Sequence, residues 1–179
     1  MFMEESLREL LKLELIERGI CKETYQKLNE QLKQLLERKN DRYFIKKDER
    51  KKIKIVLTGG VFDVLHIGHI VTLSEARKEG DFLVVAIASD DHIRKKGREP
   101  VHPIEYRKIL VENLKMVDLA IAGFRDPKEM LDLVKPDVIV YGYDQKDFLK
   151  PQGVKIVKIQ KHLEEAKYKS GKIIEKIGI

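Results

Sequence analysis

The sequence predicts an α/β protein: a doubly wound, mainly parallel Rossmann-like sheet preceded by a helical hairpin. Three observations predict it. From residue 53 onward, short apolar runs alternate with amphipathic stretches, the pattern of strands joined by helical crossovers. The run over 82–88 is continuously apolar, as a strand covered on both faces should be. The first fifty residues differ in character, with leucines at helical spacing and a dense charge.

Leu7, Leu10, Leu11, Leu15 and Ile16 mark an amphipathic helix stopped near Gly19. Tyr25, Leu28, Leu32, Leu35 and Leu36 mark a second, starting near Glu23. The two predict an antiparallel hairpin whose apolar stripes need a cover: each other, the main domain or a second subunit. Residues 40–52 read as a charged linker, in which Tyr43, Phe44 and Ile45 need something to pack on. The expected domains are therefore 1–50, hairpin and linker, and 51–179, the main domain.

In the main domain, 53–57 reads as a buried strand and 70–79 as a helix closed by Gly80. A second strand follows at 81–88, then a basic loop over 92–103. A helix is expected over 104–117, packing through Ile109, Leu110, Asn113 and Leu114. Next come a short strand at 118–122 and a helix at 127–134 with proline in its first turn. Strands at 137–141 and 154–159 and a last helix from Ser170 complete the set. Ligands in such sheets bind beyond the carboxyl ends of the strands. Four segments lie there: 58–69, 89–98, 123–126 and 142–145.

Composition narrows the classes. A 42% hydrophobic fraction in 179 residues allows a real core. Cys21 is the only cysteine, which excludes an intramolecular disulfide, a CxxC pair and a thiolate zinc cluster. The acidic start is unlike a secretory signal, and no apolar run is long enough to span a bilayer; a cytoplasmic protein without membrane partners is expected. The net charge of +6 and 7% aromatics do not suggest stacking platforms for nucleic acid.

The stretch that carries chemistry is Thr58-Gly59-Gly60-Val61-Phe62-Asp63-Val64-Leu65-His66-Ile67-Gly68-His69. It joins a strand to a helix. Glycines at the bend allow close backbone approach to a ligand, and the helix start favours an anion. His66 and His69 lie three apart, so on a helix they share a face. Two imidazoles there can donate to a phosphoryl group as charge builds on it. The G-x-G-x-x-G spacing of dinucleotide-binding folds is absent, as is a Walker A lysine.

These residues resemble the HxGH signature of the cytidylyltransferase-like nucleotidylyltransferases. Further segments resemble the same family: the strand ending at Asp90, the basic residues Lys95, Lys96 and Arg98, and the 103–108 run with Arg107. So do the loop with Gly142 and Asp144 and the 169–174 segment with Ser170. The resemblance implies that Gly59, Gly60, Val61, Phe62, Gly68, Asp90, Gly142, Asp144 and Ser170 bind the nucleotide. It implies that His66, His69, Lys96 and Arg107 act in catalysis, and that Lys95 and Arg98 meet an acceptor phosphate. Bland alternatives stand beside these: Lys95, Lys96 and Arg98 as a solvated loop, Arg107 paired only with Glu105 or Asp118, Asp144 as a turn cap, Ser170 as a helix N-cap. Asp63 reads as shaping its loop rather than acting as a base.

Lys96-Gly97-Arg98-Glu99-Pro100, and 135–140 with Gly142, Asp144 and Gln145, resemble archaeal FAD synthases most closely, although those tend to carry C-terminal cysteines. The implied reaction is nucleotidyl transfer from a triphosphate to a phosphate monoester, with Mg²⁺ bound mainly through the triphosphate and no protein ligand set for a metal. ATP with FMN is the expected pair. CTP with glycerol 3-phosphate is the alternative, although the 169–174 segment departs from that subfamily's Ser-Thr-Thr pattern. A homodimer is implied by resemblance. The alternative of another class is a nucleotide-sensing or RNA-binding protein on the same fold.

Overall fold

A computed structural model describes residues 2–123, 126–143, 145, 149–160 and 170–177. The chain divides into two compact units, Met1–Lys54 and Ile55–Ile179.

The first unit opens with helix α1 (Phe2–Glu17), followed by α2 (Lys22–Lys27) and α3 (Glu30–Gln34). Strands β1 (Leu36–Lys39) and β2 (Arg42–Ile45) form an antiparallel hairpin, and α4 (Lys47–Arg50) follows. Leu7, Leu10, Leu11 and Leu15 are buried as the leucine spacing requires, while Ile16 is exposed. The rest corrects the expected two-helix hairpin. Leu28 is extended, and the Asn29 side chain accepts from the Leu32 N–H at 2.9 Å to start a new helix. Residues 36–45, expected as helix end and linker, pair as strands around Asn40, whose φ is 58°. A polar residue tolerant of left-handed backbone makes that turn. Leu36 faces Ile45 across it, both buried.

The second unit contains, among the described residues, a five-stranded sheet in the order β5-β4-β3-β6-β7 with every pair parallel. Its strands are β3 (Ile55–Gly60), β4 (Phe82–Ile87), β5 (Leu119–Ala122), β6 (Val138–Tyr141) and β7 (Lys155–Lys158). The intervening helices are α5 (Ile67–Arg77), α6 (Asp90–Arg94), α7 (Ile104–Glu112) and α8 (Pro127–Val134), with α9 (Ser170–Ile177) at the end. The doubly wound parallel sheet is thus as expected. Ile55, Val56, Leu57 and Thr58 are all buried, as a central strand covered on both faces must be. The core runs through Val56, Leu73, Leu83, Val85, Val111 and Val138. Two aspartates start neighbouring strands alike: Asp137 accepts from the Ile55 N–H at 2.7 Å, and Asp118 from the Leu83 N–H at 2.7 Å. Strand order reverses between β3 and β6, so the carboxyl ends of those strands flank the switch point where such sheets bind ligands.

Helix α7 departs from its expected face. Ile109 and Leu110 are exposed, and the buried positions are Arg107 and Val111, with Ile104 and Leu114 partly buried. The true stripe is 104, 107, 111, 114, with an arginine in the middle of it. A pattern search that scores only apolar residues shifts to the neighbouring face.

Candidate functional site

β3 ends in Gly59 and Gly60, and α5 begins at Ile67. Between them Phe62 has a φ of 51° and is buried in the core. Gly60 makes this possible: a Cβ there would lie 2.8 Å from the Phe62 ring. Phe62, expected among the nucleotide-binding residues, sits with its ring in the core instead. Its ring sits at 4.9 Å from that of His69, tilted by 49°, and supports the histidine from the core side.

The two histidines come together, though not as two residues on one helical face. His66 is the N-cap, with extended backbone (φ −144°, ψ 170°), and His69 is the third helical residue. The His66 Nδ1 accepts from the Gly68 N–H at 3.2 Å, and the His69 Nδ1 accepts from the His66 N–H at 3.4 Å. The rings stack at 3.8 Å. This has a chemical consequence. A neutral imidazole accepts at one nitrogen and donates at the other. With each Nδ1 accepting a backbone N–H, the proton belongs on each Nε2. Gly68 allows the geometry, because a Cβ there would lie 3.0 Å from Cε1 and 3.1 Å from Nδ1 of His66.

Asp63, Arg98 and His102 hold this loop from behind. Asp63 is fully buried. Its Oδ2 accepts from Arg98 Nη1, its Oδ1 from the His102 N–H at 3.1 Å, and its carbonyl lies 2.8 Å from the His102 Nδ1. Burial alone would raise its pKa. The bonds from Arg98 and from the backbones of His102 and Val101, with the Arg98 charge, outweigh it and lower the pKa below the usual carboxylate range. So Asp63 is a fixed anion that shapes its loop, as its position suggested.

Arg107 is where the structure differs most from expectation. It is fully buried, and its guanidinium donates to the His102 carbonyl, the Val61 carbonyl and the Asp90 carboxylate. Its ion-pair partner is Asp90, not Glu105 or Asp118. A buried guanidinium is tolerable only with such acceptors. Arg107 thus clamps the glycine loop, the end of β4 and the 98–102 segment from inside instead of presenting its charge to a phosphate. Asp90, expected at the nucleotide, is engaged by this clamp, and the Val61 backbone is its other end.

The basic loop is partly helical: the Ser89 side chain caps α6, and Lys95 and Lys96 follow it in exposed positions. His92 records their field. Its pKa is lowered by burial first and then by the charges of Lys96 and Lys95. Arg98, with one-third of its side chain exposed, spends donors on Asp63 and on the Glu99 carbonyl. That leaves guanidinium N–H groups beyond those two bonds.

At the switch point Gln145 bridges β6 to β3. Its Oε1 accepts from the Gly142 N–H at 2.9 Å and its Nε2 donates to the Gly59 carbonyl at 2.7 Å. Three of the four expected segments, 58–69, 89–98 and 142–145, are therefore tied to one another. Asp144 lies outside the described residues, and Ser170 is described only as the first residue of α9. Sequence reasoning missed His102 and Gln145 as site-building residues. The signal for Gln145 was its place just after a strand end; His102 offered none, since its function here is carried by its backbone and one ring nitrogen.

The sequence profile of the cytidylyltransferase-like family matches residues 57–176. The chain is 41% identical over 145 residues to a protein named FAD synthase from Thermococcus onnurineus, covering 74% of this chain and 96% of that one. It is 42% identical over 136 residues to a FAD synthase from Thermoplasma volcanium, covering 69% and 96%. Among solved structures it is similar to a protein titled lipopolysaccharide core biosynthesis protein, also from Thermoplasma volcanium. That match has 40% identity and a TM-score of 0.56, covering 62% of this chain and 98% of that one. With the paired histidines at a strand–helix junction and a family match over most of the second unit, the chain belongs to the cytidylyltransferase-like family of nucleotidyltransferases.

Proposed function

We propose that this protein is an FMN adenylyltransferase: it transfers AMP from ATP to the phosphate of FMN and releases pyrophosphate. The observation that carries the reading is the pair of stacked imidazoles at the start of α5, each with its Nδ1 engaged by a backbone N–H; in the neutral rings this leaves Nε2 as the donor. The choice of ATP and FMN is supported by the relatives named FAD synthase, which this chain spans almost end to end.

The step is an in-line displacement. An FMN phosphate oxygen forms a bond to the α-phosphorus, the bond from that phosphorus to the β-bridging oxygen breaks, and pyrophosphate leaves. A phosphate monoester is already a competent nucleophile, so no strong base is needed. Catalysis is then positioning and stabilisation of charge. His66 and His69 donate from Nε2 to phosphoryl oxygens as charge moves to the leaving group. Lys95, Lys96 and Arg98 hold the acceptor phosphate and triphosphate, with Arg98 oriented by Asp63. Arg107 keeps these segments in place and does not touch substrate.

Enzymes of this family generally use a divalent metal. Among the described residues, no three His, Cys, Asp or Glu side chains converge to hold one. In this reading the ion is Mg²⁺; it would be carried on the triphosphate and would neutralise the β- and γ-phosphates. We also place the enzyme as a homodimer, supported by the exposed Tyr106, Ile109 and Leu110 on one side of α7. No described helix is long and apolar enough to cross a membrane.

The test is chromatographic detection of FAD after incubation with FMN, ATP and Mg²⁺, with CTP replacing ATP as the control. ATP-dependent FAD supports the reading. Product only with CTP, or only with glycerol 3-phosphate as acceptor, refutes it.

A further inference from the structure

The reaction above uses residues of the second unit only. Within the first unit, charge is distributed very unevenly. Residues 36–54 hold nine lysines and arginines against four acids, a net +5. The preceding residues 1–35 hold six lysines and arginines against seven acids, a net −1. The hairpin 36–45 itself carries +1 and α4 carries none; the rest of the excess lies on Lys46, Lys51, Lys52 and Lys54, which flank α4 at the foot of the hairpin.

The architecture beneath that charge is specific. α1 is followed by an isolated bridge residue, Ile20, then α2, a two-residue turn, α3 and the β1–β2 hairpin; Ile20 pairs antiparallel with Tyr43 of β2. Helix, bridge, helix, turn, helix and hairpin is the order of a winged helix-turn-helix. In helix-turn-helix modules the second helix of the motif enters the DNA major groove. In the winged form the hairpin lies along the backbone.

The hairpin is pinned on one side and open on the other. Arg42 donates to the Glu17 and Gly19 carbonyls at 2.9 and 2.8 Å, and the Ile45 N–H donates to Glu14 Oε2 at 2.6 Å. Tyr43 stacks on Tyr25 of α2, with centroids at 3.6 Å and planes within 4°. Arg38, Lys39, Lys46 and Lys47 are exposed. Some of this basic charge is paired locally: Lys39 with Glu37 at 2.8 Å, Lys51 with Asp48 at 2.9 Å and Lys52 with Glu49 at 2.8 Å. Such surface pairs are weak and exchange readily for phosphates.

We propose that residues 1–54 form a winged helix-turn-helix module that docks on duplex DNA, with the β1–β2 hairpin on the phosphate backbone. The sequence alone did not point to a winged module because the stretch from near Glu23 to Leu36 reads as one helix and 40–52 as a linker. This inference does not depend on the adenylyltransferase reading.

The test is fluorescence anisotropy of the full chain with a labelled 24-bp duplex of mixed sequence across KCl concentrations. Binding in roughly the micromolar range near 100 mM is expected. About four phosphate contacts would weaken it on the order of 100-fold between 50 and 200 mM. The Arg38→Glu/Lys39→Glu double variant should bind at least about tenfold more weakly, with its circular dichroism melt unchanged. A Lys78→Glu/Lys155→Glu variant makes the same change of charge in the second unit and should bind like the parent. Three results would each overturn the proposal: no binding at 50 mM, equal losses in the two double variants, or tighter binding to single-stranded RNA than to the duplex.

Discussion

Gly68→Ala separates the placement of His66 from the stability of the fold. The added Cβ would lie 3.0 Å from Cε1 and 3.1 Å from Nδ1 of His66. Ordinary carbon contacts lie at about 3.5–4.0 Å, so the imidazole has to retreat by about half an ångström. That stretches the 3.2 Å bond from the Gly68 N–H, which fixes the tautomer. A displacement of 1 Å in a reacting constellation can cost about 100-fold; half of that on the free-energy scale is about tenfold, or about 1.4 kcal/mol. Stability moves little. Replacing glycine by alanine in a helix gains up to about 1 kcal/mol, and losing one hydrogen bond costs about the same. The melting temperature should therefore stay within a few degrees. Steady-state FAD formation at saturating ATP and FMN, read beside a thermal melt, makes the comparison. A Gly68→Ala enzyme with parental kcat would refute the idea that the Gly68 contact sets the His66 ring, and a drop of many degrees would show that the loss is one of folding.

Arg107→Met leaves the Asp90 carboxylate and two carbonyls without their buried donor; urea unfolding should show a loss of about 3–5 kcal/mol, and a loss under 1 kcal/mol would mean the clamp is dispensable. Asp63 has a folded pKa below its ordinary value, so its contribution to stability is complete above the unfolded value of about 3.9 and fades as pH falls through the lower folded value. Asp63→Asn should flatten the acid limb of unfolding free energy against pH; an unchanged limb would contradict the assignment. Lys95→Ala/Lys96→Ala removes two of the causes that lower the pKa of His92, so NMR titration should find that pKa raised, and no change would place the lysine charges too far away to matter at the site.

The sheet of the second unit was legible because β3, β4 and β6 are apolar on both faces and the breaks fall at Gly80 and Lys135-Pro136. His66 and His69 were legible from spacing, but their geometry was not: a helical count puts them on one face, whereas His66 caps the helix from outside it and the rings meet through backbone bonds. Arg107 was misjudged because its charge argues for a phosphate, and only three-dimensional packing reveals the carbonyls and carboxylate that surround it. The first unit was misread from Leu28 onward. Its leucines keep helical spacing through Leu36, and the extended backbone at Leu28 and the left-handed turn at Asn40 leave no trace in that period.

The most direct test of the site is the single-turnover rate of AMP transfer in the His66→Ala/His69→Ala double variant against the parent, at saturating ATP and FMN. Loss of one preorganised donor costs about 3 kcal/mol or more, so the double variant should be slower by at least about 100-fold, while loss of the helix cap, about 1–2 kcal/mol, should lower the melting temperature by only several degrees and leave the protein folded at the assay temperature. Parental turnover in the double variant would contradict the assignment of the two imidazoles to the transferring phosphate.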